Sequence, residues 1–106
     1  MKDYSLYDVL VPNSIKLIKK HAFHMCYNLK RIDLNNVISI GDFAFNRCYD
    51  LEQVINSEKI INLGIGAFRK CQSLKKIKIP HKISTIKSEV FAFSGLTSVD
   101  IPENIT

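Results

Sequence analysis

The fold of this chain is decided by the stretch Ile40-Gly41-Asp42-Phe43-Ala44-Phe45-Asn46-Arg47-Cys48. Its Ala-Phe pair recurs at Ala22-Phe23 and Ala67-Phe68, and Val90-Phe91 is a fourth variant. The four phenylalanines are 22, 23 and 23 positions apart. A unit of this length cannot bury its own apolar face, so its copies must stack and share one core.

Further columns of similar residues keep the same period. Small residues stand three positions after each phenylalanine, at Cys26, Cys48, Cys71 and Ser94. Aliphatic residues stand five positions before it, at Ile18, Ile40, Leu63 and Ile86. A leucine follows each small residue, and an aliphatic residue follows three positions later, in the pairs Leu29/Ile32, Leu51/Val54, Leu74/Ile77 and Leu96/Val99. So many aligned columns predict a solenoid built from stacked coils.

The pattern Leu-x-x-Ile-x-Ile-Pro-x-x-Ile-x-x-Ile-Gly-x-x-Ala-Phe-x-x-Cys resembles the BspA-type leucine-rich repeat, over roughly residues 9–106. The resemblance implies an α/β repeat fold. It would be a leucine-rich-repeat solenoid with a parallel β-sheet on one face and short helical or irregular turns on the other. We expect a single solenoid over 1–106 with about four and a half repeats. Its divisions are 1–28, 29–50, 51–73, 74–95 and the partial repeat 96–106. Asn35-Asn36 and Ser57-Glu58 depart from the pattern, since they replace the expected proline.

Strand periodicity follows each repeat leucine. Ile32 and Leu34 alternate with the polar residues Arg31 and Asp33, which predicts a strand with one buried side. The predicted strands are 8–11, 29–34, 51–55, 74–79 and 96–101. In stacked coils they lie parallel, about 4.8 Å apart. The stretch 15–18 and its copies supply a second inward-facing side, and a turn with inward Ala and Phe side chains follows.

The polar strand positions are the candidate partner-binding residues, because they project from the sheet. They are Lys30, Arg31, Asp33, Gln53, Lys75, Lys76 and Lys78. One hypothesis is a basic docking patch for a protein partner of acidic character. The alternative is a solvated face that keeps the sheet soluble. Nucleic acid is the less favoured partner, because aromatic residues do not interleave with the basic ones.

Catalytic and metal-binding patterns are weak. The cysteine column could hold a disulfide or a soft metal, but small buried apolar residues are the favoured interpretation, and Ser94 in the same column supports it. No Cys-x-x-Cys motif exists, and His21, His24 and His81 lack zinc-ligand spacing to a cysteine pair. The stretch Gly64-Ile65-Gly66 lacks a phosphate-binding context. The sequence therefore predicts a protein that is not an enzyme and needs no cofactor or metal.

Composition and charge set broader limits. Hydrophobic residues make up 46% and charged residues 24% of the 106 residues, with a formal net charge of +5. No run approaches the roughly 20 apolar residues of a membrane span, and no leader is visible, so we expect a cytoplasmic protein. The sequence stops midway through a fifth repeat at Pro102–Thr106, which suggests self-association through an open C-terminal coil or a longer array.

The functional hypothesis is therefore a non-catalytic protein-interaction or scaffold module that uses the exposed face of its strands. Two alternatives stay open. One is electrostatic binding of the basic strand face to nucleic acid or another polyanion. The other is a repeat fragment that has no independent role.

Overall fold

The computed structural model describes residues 7–83 and 85–100. These ranges contain short β-strands and turns and no helix. The strands are β1 (Asp8–Leu10), β2 (Leu17–Ile18), β3 (Arg31–Asp33), β4 (Ser39–Ile40), β5 (Gln53–Ile55), β6 (Asn62–Leu63), β7 (Lys76–Lys78) and β8 (Ser98–Asp100). Each strand lies within a stretch for which the repeat predicts an inward-facing side. On the first face the observed strands span three residues each and are shorter than the predicted ones. The predicted end of the last strand, Ile101, lies outside the described residues.

The strands form parallel sheets on two sides of the coil stack. β1, β3 and β5 make one sheet, in which Val9, Ile32 and Val54 occupy equivalent positions. β2, β4 and β6 make a second, narrower sheet, with Ile18 and Ile40 in register. Parallel pairing at an offset of one repeat is the arrangement that stacked coils require. The predicted solenoid with parallel strands is confirmed.

The ladder of strands on the first face is interrupted between β5 and β7. β7 pairs with β8 in a separate sheet, so the described strands of this face fall into groups of three and two. At the interruption a side chain connects the coils, because the buried Ser57 hydroxyl donates a hydrogen bond of 3.0 Å to the Lys78 carbonyl oxygen. The facing edges of β5 and β7 do not pair with each other as strands.

The turn side of the solenoid is held by backbone hydrogen bonds that run from coil to coil. Alternate residues donate to the next coil, as in Phe23 N to Ala44 O at 2.8 Å, Phe45 N to Ala67 O at 2.8 Å and Phe68 N to Val90 O at 2.9 Å. The turns are irregular, and each has two residues with positive φ spaced four apart. These are His21 and Met25, Phe43 and Arg47, Gly66 and Lys70, and Glu89 and Phe93. This side stays bonded where the strand ladder is interrupted.

The core consists of the repeat columns. Phe45 and Phe68 are fully buried, and their ring centroids are 5.2 Å apart with planes within 2° of parallel. The half-buried Phe23 and Phe91 continue the stack at 5.3 Å and 5.9 Å. The leucine, isoleucine and cysteine columns surround these rings. Aliphatic and aromatic burial along one continuous column is what stabilises coils that have no separate core.

Asparagine replaces the proline of the repeat without loss of order. Asn35 takes a left-handed φ of 54°, which asparagine tolerates better than most residues, and its amide donates to the Val11 carbonyl oxygen at 3.1 Å. In the next coil Asn56, the residue before Ser57, also has a left-handed φ, of 62°, and its amide donates to the Asp33 carboxylate at 2.8 Å. Hydrogen bonds between coils thus take over from the fixed φ of proline.

Candidate functional site: the exposed strand face

The polar side chains of β3, β5 and β7 lie where the sequence predicts them. Lys30, Gln53, Lys75, Lys76 and Lys78 are exposed, and Arg31 and Asp33 are half-buried. Within the strands they alternate with core residues such as the fully buried Ile32, because neighbouring residues of a strand point to opposite faces. Lys30 and Lys75 are exposed at the positions immediately before β3 and β7. The structure therefore brings all seven predicted residues to one face of the stack, which we call the strand face.

Two of the seven residues are engaged in contacts within the strand face. The Arg31 guanidinium forms an ion pair with Asp8 at 3.0 Å. The Asp33 carboxylate accepts hydrogen bonds from the Asn35 backbone N–H at 3.0 Å and from the Asn56 amide at 2.8 Å. These contacts join neighbouring coils, so Arg31 and Asp33 have a structural role whether or not they also touch a partner.

The lysines of the strand face carry its excess positive charge. The Lys75 ammonium donates only a long hydrogen bond, of 3.4 Å, to the Gln72 carbonyl oxygen. Among the side chains that the structure describes, no ion pair involves Lys30, Lys76 or Lys78. A lysine ammonium is a hydrated charge on a flexible stem. These ammonium groups can contact a partner without breaking an ion pair to a described side chain.

A cleft crosses the strand face where the ladder is interrupted. It has a volume of about 340 Å³ and is open to solvent. The residues that line it are Glu52, Gln53, Val54, Ile55, Lys75 and Lys76. Half-buried Val54 and Ile55 give it an apolar floor, while the polar side chains of both coils form its rim. Three of the seven predicted residues thus border a concave site that the repeat pattern did not predict.

The cysteines do not form a reactive or metal-binding site. All three are buried and free, and the thiols of Cys48 and Cys71 each donate to a backbone carbonyl oxygen at 3.1 Å. Burial raises the pKa of Cys71 to about 12 and also raises the pKa of Cys48. Since the thiolate is the nucleophile and the metal ligand, the raised pKa makes the thiols of Cys48 and Cys71 less reactive in the folded chain. The prediction of small buried residues in this column is confirmed.

Other sites are sparse in the ranges 7–83 and 85–100. No group of three or more His, Cys, Asp or Glu side chains there is arranged to hold a metal ion. The same ranges contain no helix long and apolar enough to cross a membrane. The predicted self-association involves the C-terminal coil, whose residues 101–106 lie outside the described part.

A second charged surface lies on the turn side, and the sequence reasoning missed it. Arg69 and Lys70 lie there beside the exposed ring of Phe93, and Arg47 occupies the position of the preceding coil that is equivalent to Lys70. Three residues of this surface occupy the column immediately before the Cys/Ser column, at Arg47, Lys70 and Phe93. Reading that column across the repeats would have revealed that these residues recur at one position of the coil. The turn geometry that exposes their side chains is not evident from periodicity.

Comparison with known proteins supports the repeat assignment. The family described as BspA type leucine rich repeat region matches residues 1–106 in six copies. The chain is similar to the solved structure of a leucine-rich repeat protein from Bacteroides capillosus, with 29% identity and a TM-score of 0.73 over 87% of this chain and 74% of that one. Curated proteins give no match.

Two further solved structures share the fold. A T. pallidum leucine rich repeat protein is 22% identical, with a TM-score of 0.67 over 92% of this chain. A leucine-rich repeat protein from Bacteroides ovatus is 19% identical, with a TM-score of 0.69 over 94% of this chain. The chain spans 59% of the first protein and 32% of the second.

Proposed function

We propose that this chain, which belongs to the BspA-type leucine-rich repeat family, is a non-catalytic module that binds an acidic protein partner through its strand face. Leucine-rich repeats generally mediate protein interactions, and proteins of the family are typically non-catalytic. Fold alone does not fix function, so the choice of the strand face rests on its own chemistry.

The observation that carries the proposal is the cleft between β5 and β7. Lys75 and Lys76 stand on its rim, while Val54 and Ile55 form its floor. A concave, mostly apolar site with a few polar groups is the usual form of a ligand-binding pocket. A partner segment with an apolar side chain for the floor and carboxylates for the lysines would complement it.

The lysines contribute more to recognition than to strength of binding. An exposed ion pair contributes roughly 0.2–1 kcal/mol, so the lysines of the strand face add only a modest free energy of binding. Complementary charge also speeds association and disfavours basic partners. The apolar floor must supply the rest of the free energy, because burial of apolar surface is not weakened by salt as ion pairs are.

The test is an affinity capture from lysate of the native host, with and without nuclease. Lys75→Glu/Lys76→Glu reverses two charges at the cleft. The matched control Lys16→Glu/Lys20→Glu makes the same change in net charge at exposed positions of the first coil that precede and follow β2. We expect the wild type and the control variant to capture a protein that stays bound after nuclease treatment. The cleft variant should fail to capture it. Equal capture by the cleft variant would exclude the strand face.

The alternative is electrostatic binding to nucleic acid or another polyanion. The lysines of the strand face favour it, since none of them has an ion-pair partner among the described side chains. This alternative predicts binding to random duplex DNA with an affinity that falls steeply with salt, because phosphate contacts release counterions. Capture that nuclease abolishes entirely would make it the leading function.

A fragment with no independent role is the remaining alternative. It predicts that the isolated chain folds poorly, because terminal coils of a solenoid need partners for their apolar faces. A cooperative thermal unfolding transition of the purified chain would count against it.

A further inference from the structure

The turn side carries a rigid column of four side chains, one from each coil. Met25, Arg47, Lys70 and Phe93 occupy equivalent turn positions, and all four have left-handed backbones with φ between 57° and 64°. Their spacing is fixed by backbone hydrogen bonds between coils, including Arg47 N to Arg69 O at 2.8 Å and Lys70 N to Ala92 O at 2.8 Å. Equivalent positions of neighbouring coils lie about 5 Å apart. We call these four residues the turn-side column.

The two cations in the middle of the turn-side column occupy equivalent positions of neighbouring coils. The charge of Arg47 is the main cause that lowers the pKa of Lys70, followed by partial desolvation and by the charge of Arg69. Arg69 is already paired with Glu89 at 3.2 Å, whereas the ion pairs of the described residues include none with Arg47 or Lys70. The fold therefore holds two like charges close together, and neither forms an ion pair with a described side chain.

Arg47 and Lys70 are both half-buried. The Nε atom of Arg47 is buried and makes no hydrogen bond to the described residues. A buried guanidinium N–H without a partner costs free energy, and a like charge beside it adds to the cost. A carboxylate placed across Arg47 and Lys70 would relieve the repulsion between them.

An aromatic side chain completes the surface. The ring of Phe93 is 68% exposed, with the Arg69 guanidinium 5.4 Å and the Lys70 ammonium 5.8 Å from its centroid. An exposed ring flanked by cations offers a partner both apolar contact and charge, and aromatic residues with arginine are enriched at protein interfaces. The surface thus combines two unpaired cations with an apolar end.

We propose that the turn-side column is a second binding site, which takes an acidic segment of a partner protein. Carboxylates of the segment bridge Arg47 and Lys70, and an adjacent apolar side chain of the segment packs on Phe93. Charge complementarity selects this occupant, and the exposed ring favours a protein segment over a uniformly charged polyanion. The site is separate from the strand face, so either can exist without the other.

The test measures fluorescence anisotropy of a labelled peptide of alternating Glu and Leu, and of a matched peptide with Gln for each Glu. Arg47→Met/Lys70→Met removes both charges and keeps long side chains, since the chain itself has Met25 at the same position of the first coil. Losing two exposed or half-exposed ion pairs should weaken binding of the Glu peptide about tenfold. Phe93→Ala should weaken it as well.

Strand-face variants separate this inference from the proposed function. Lys75→Glu/Lys76→Glu changes no residue of the turn-side column, so it should weaken binding of the Glu peptide much less than Arg47→Met/Lys70→Met does. Unchanged binding by Arg47→Met/Lys70→Met would overturn the inference, as would equal binding of the Gln peptide. Loss of duplex DNA binding in that variant, with no peptide binding by wild type, would assign the surface to nucleic acid instead.

Discussion

Phe45→Ala removes the central ring of the aromatic stack. Phe45 is fully buried, and it is stacked on both sides, with ring centroids 5.3 Å from Phe23 and 5.2 Å from Phe68. Truncating a buried phenylalanine costs roughly 3–5 kcal/mol through lost apolar burial and the cavity left behind. We expect a value near the upper end, because backbone hydrogen bonds fix the neighbouring coils and oppose collapse into the cavity.

The assay is urea denaturation followed by circular dichroism, from which the free energy of unfolding is obtained by linear extrapolation. Phe93→Ala is the matched control. Its ring is 68% exposed and contacts the cations of Arg69 and Lys70, so its loss should cost less than about 1 kcal/mol. The reasoning would be refuted if Phe45→Ala cost under 1 kcal/mol, or if Phe93→Ala cost as much as Phe45→Ala.

Three further predictions concern stability and reactivity. Iodoacetamide should label no cysteine of the folded protein at pH 8 and all three after unfolding, as mass spectrometry would show. Because folding raises the pKa of Cys71 from 9.0 to about 12, the unfolded chain ionises first, and the free energy of unfolding should fall as pH rises above about 9. Gly64→Ala should destabilise by about 1–3 kcal/mol in urea titrations, since its Cβ would clash with the Asp42 backbone nitrogen.

The repeat columns could be read from the sequence because burial follows them directly. Leu29, Phe45 and Cys48 recur at fixed offsets, and each is fully buried in the structure. Alternation along each strand likewise placed Lys76 outward and Ile77 inward. A solenoid repeats one local environment, so a pattern recognised once predicts the same environment in every coil.

The cleft and the turn-side column were not predictable in this way, because they arise where coils differ. The third repeat departs from the pattern at Ser57-Glu58, but this departure alone does not predict the interruption between β5 and β7, which depends on how two particular coils meet, with Ser57 bonded to Lys78. The exposure of Phe93 depends on its left-handed backbone, a conformation that a bulky residue seldom adopts. Periodicity predicts the features that all coils share, and it does not predict these differences between coils.

The most direct test of the strand-face account is site-specific photo-cross-linking in lysate of the native host. A photoreactive amino acid replaces Gln53 at the cleft in one variant and the exposed Glu58, outside the residues that line the cleft, in another. The account predicts a discrete protein adduct at Gln53, persisting after nuclease and absent when Lys75→Glu/Lys76→Glu is added, with no equivalent adduct at Glu58. The same adducts at both positions, or an adduct at Gln53 that survives the lysine changes, would contradict it.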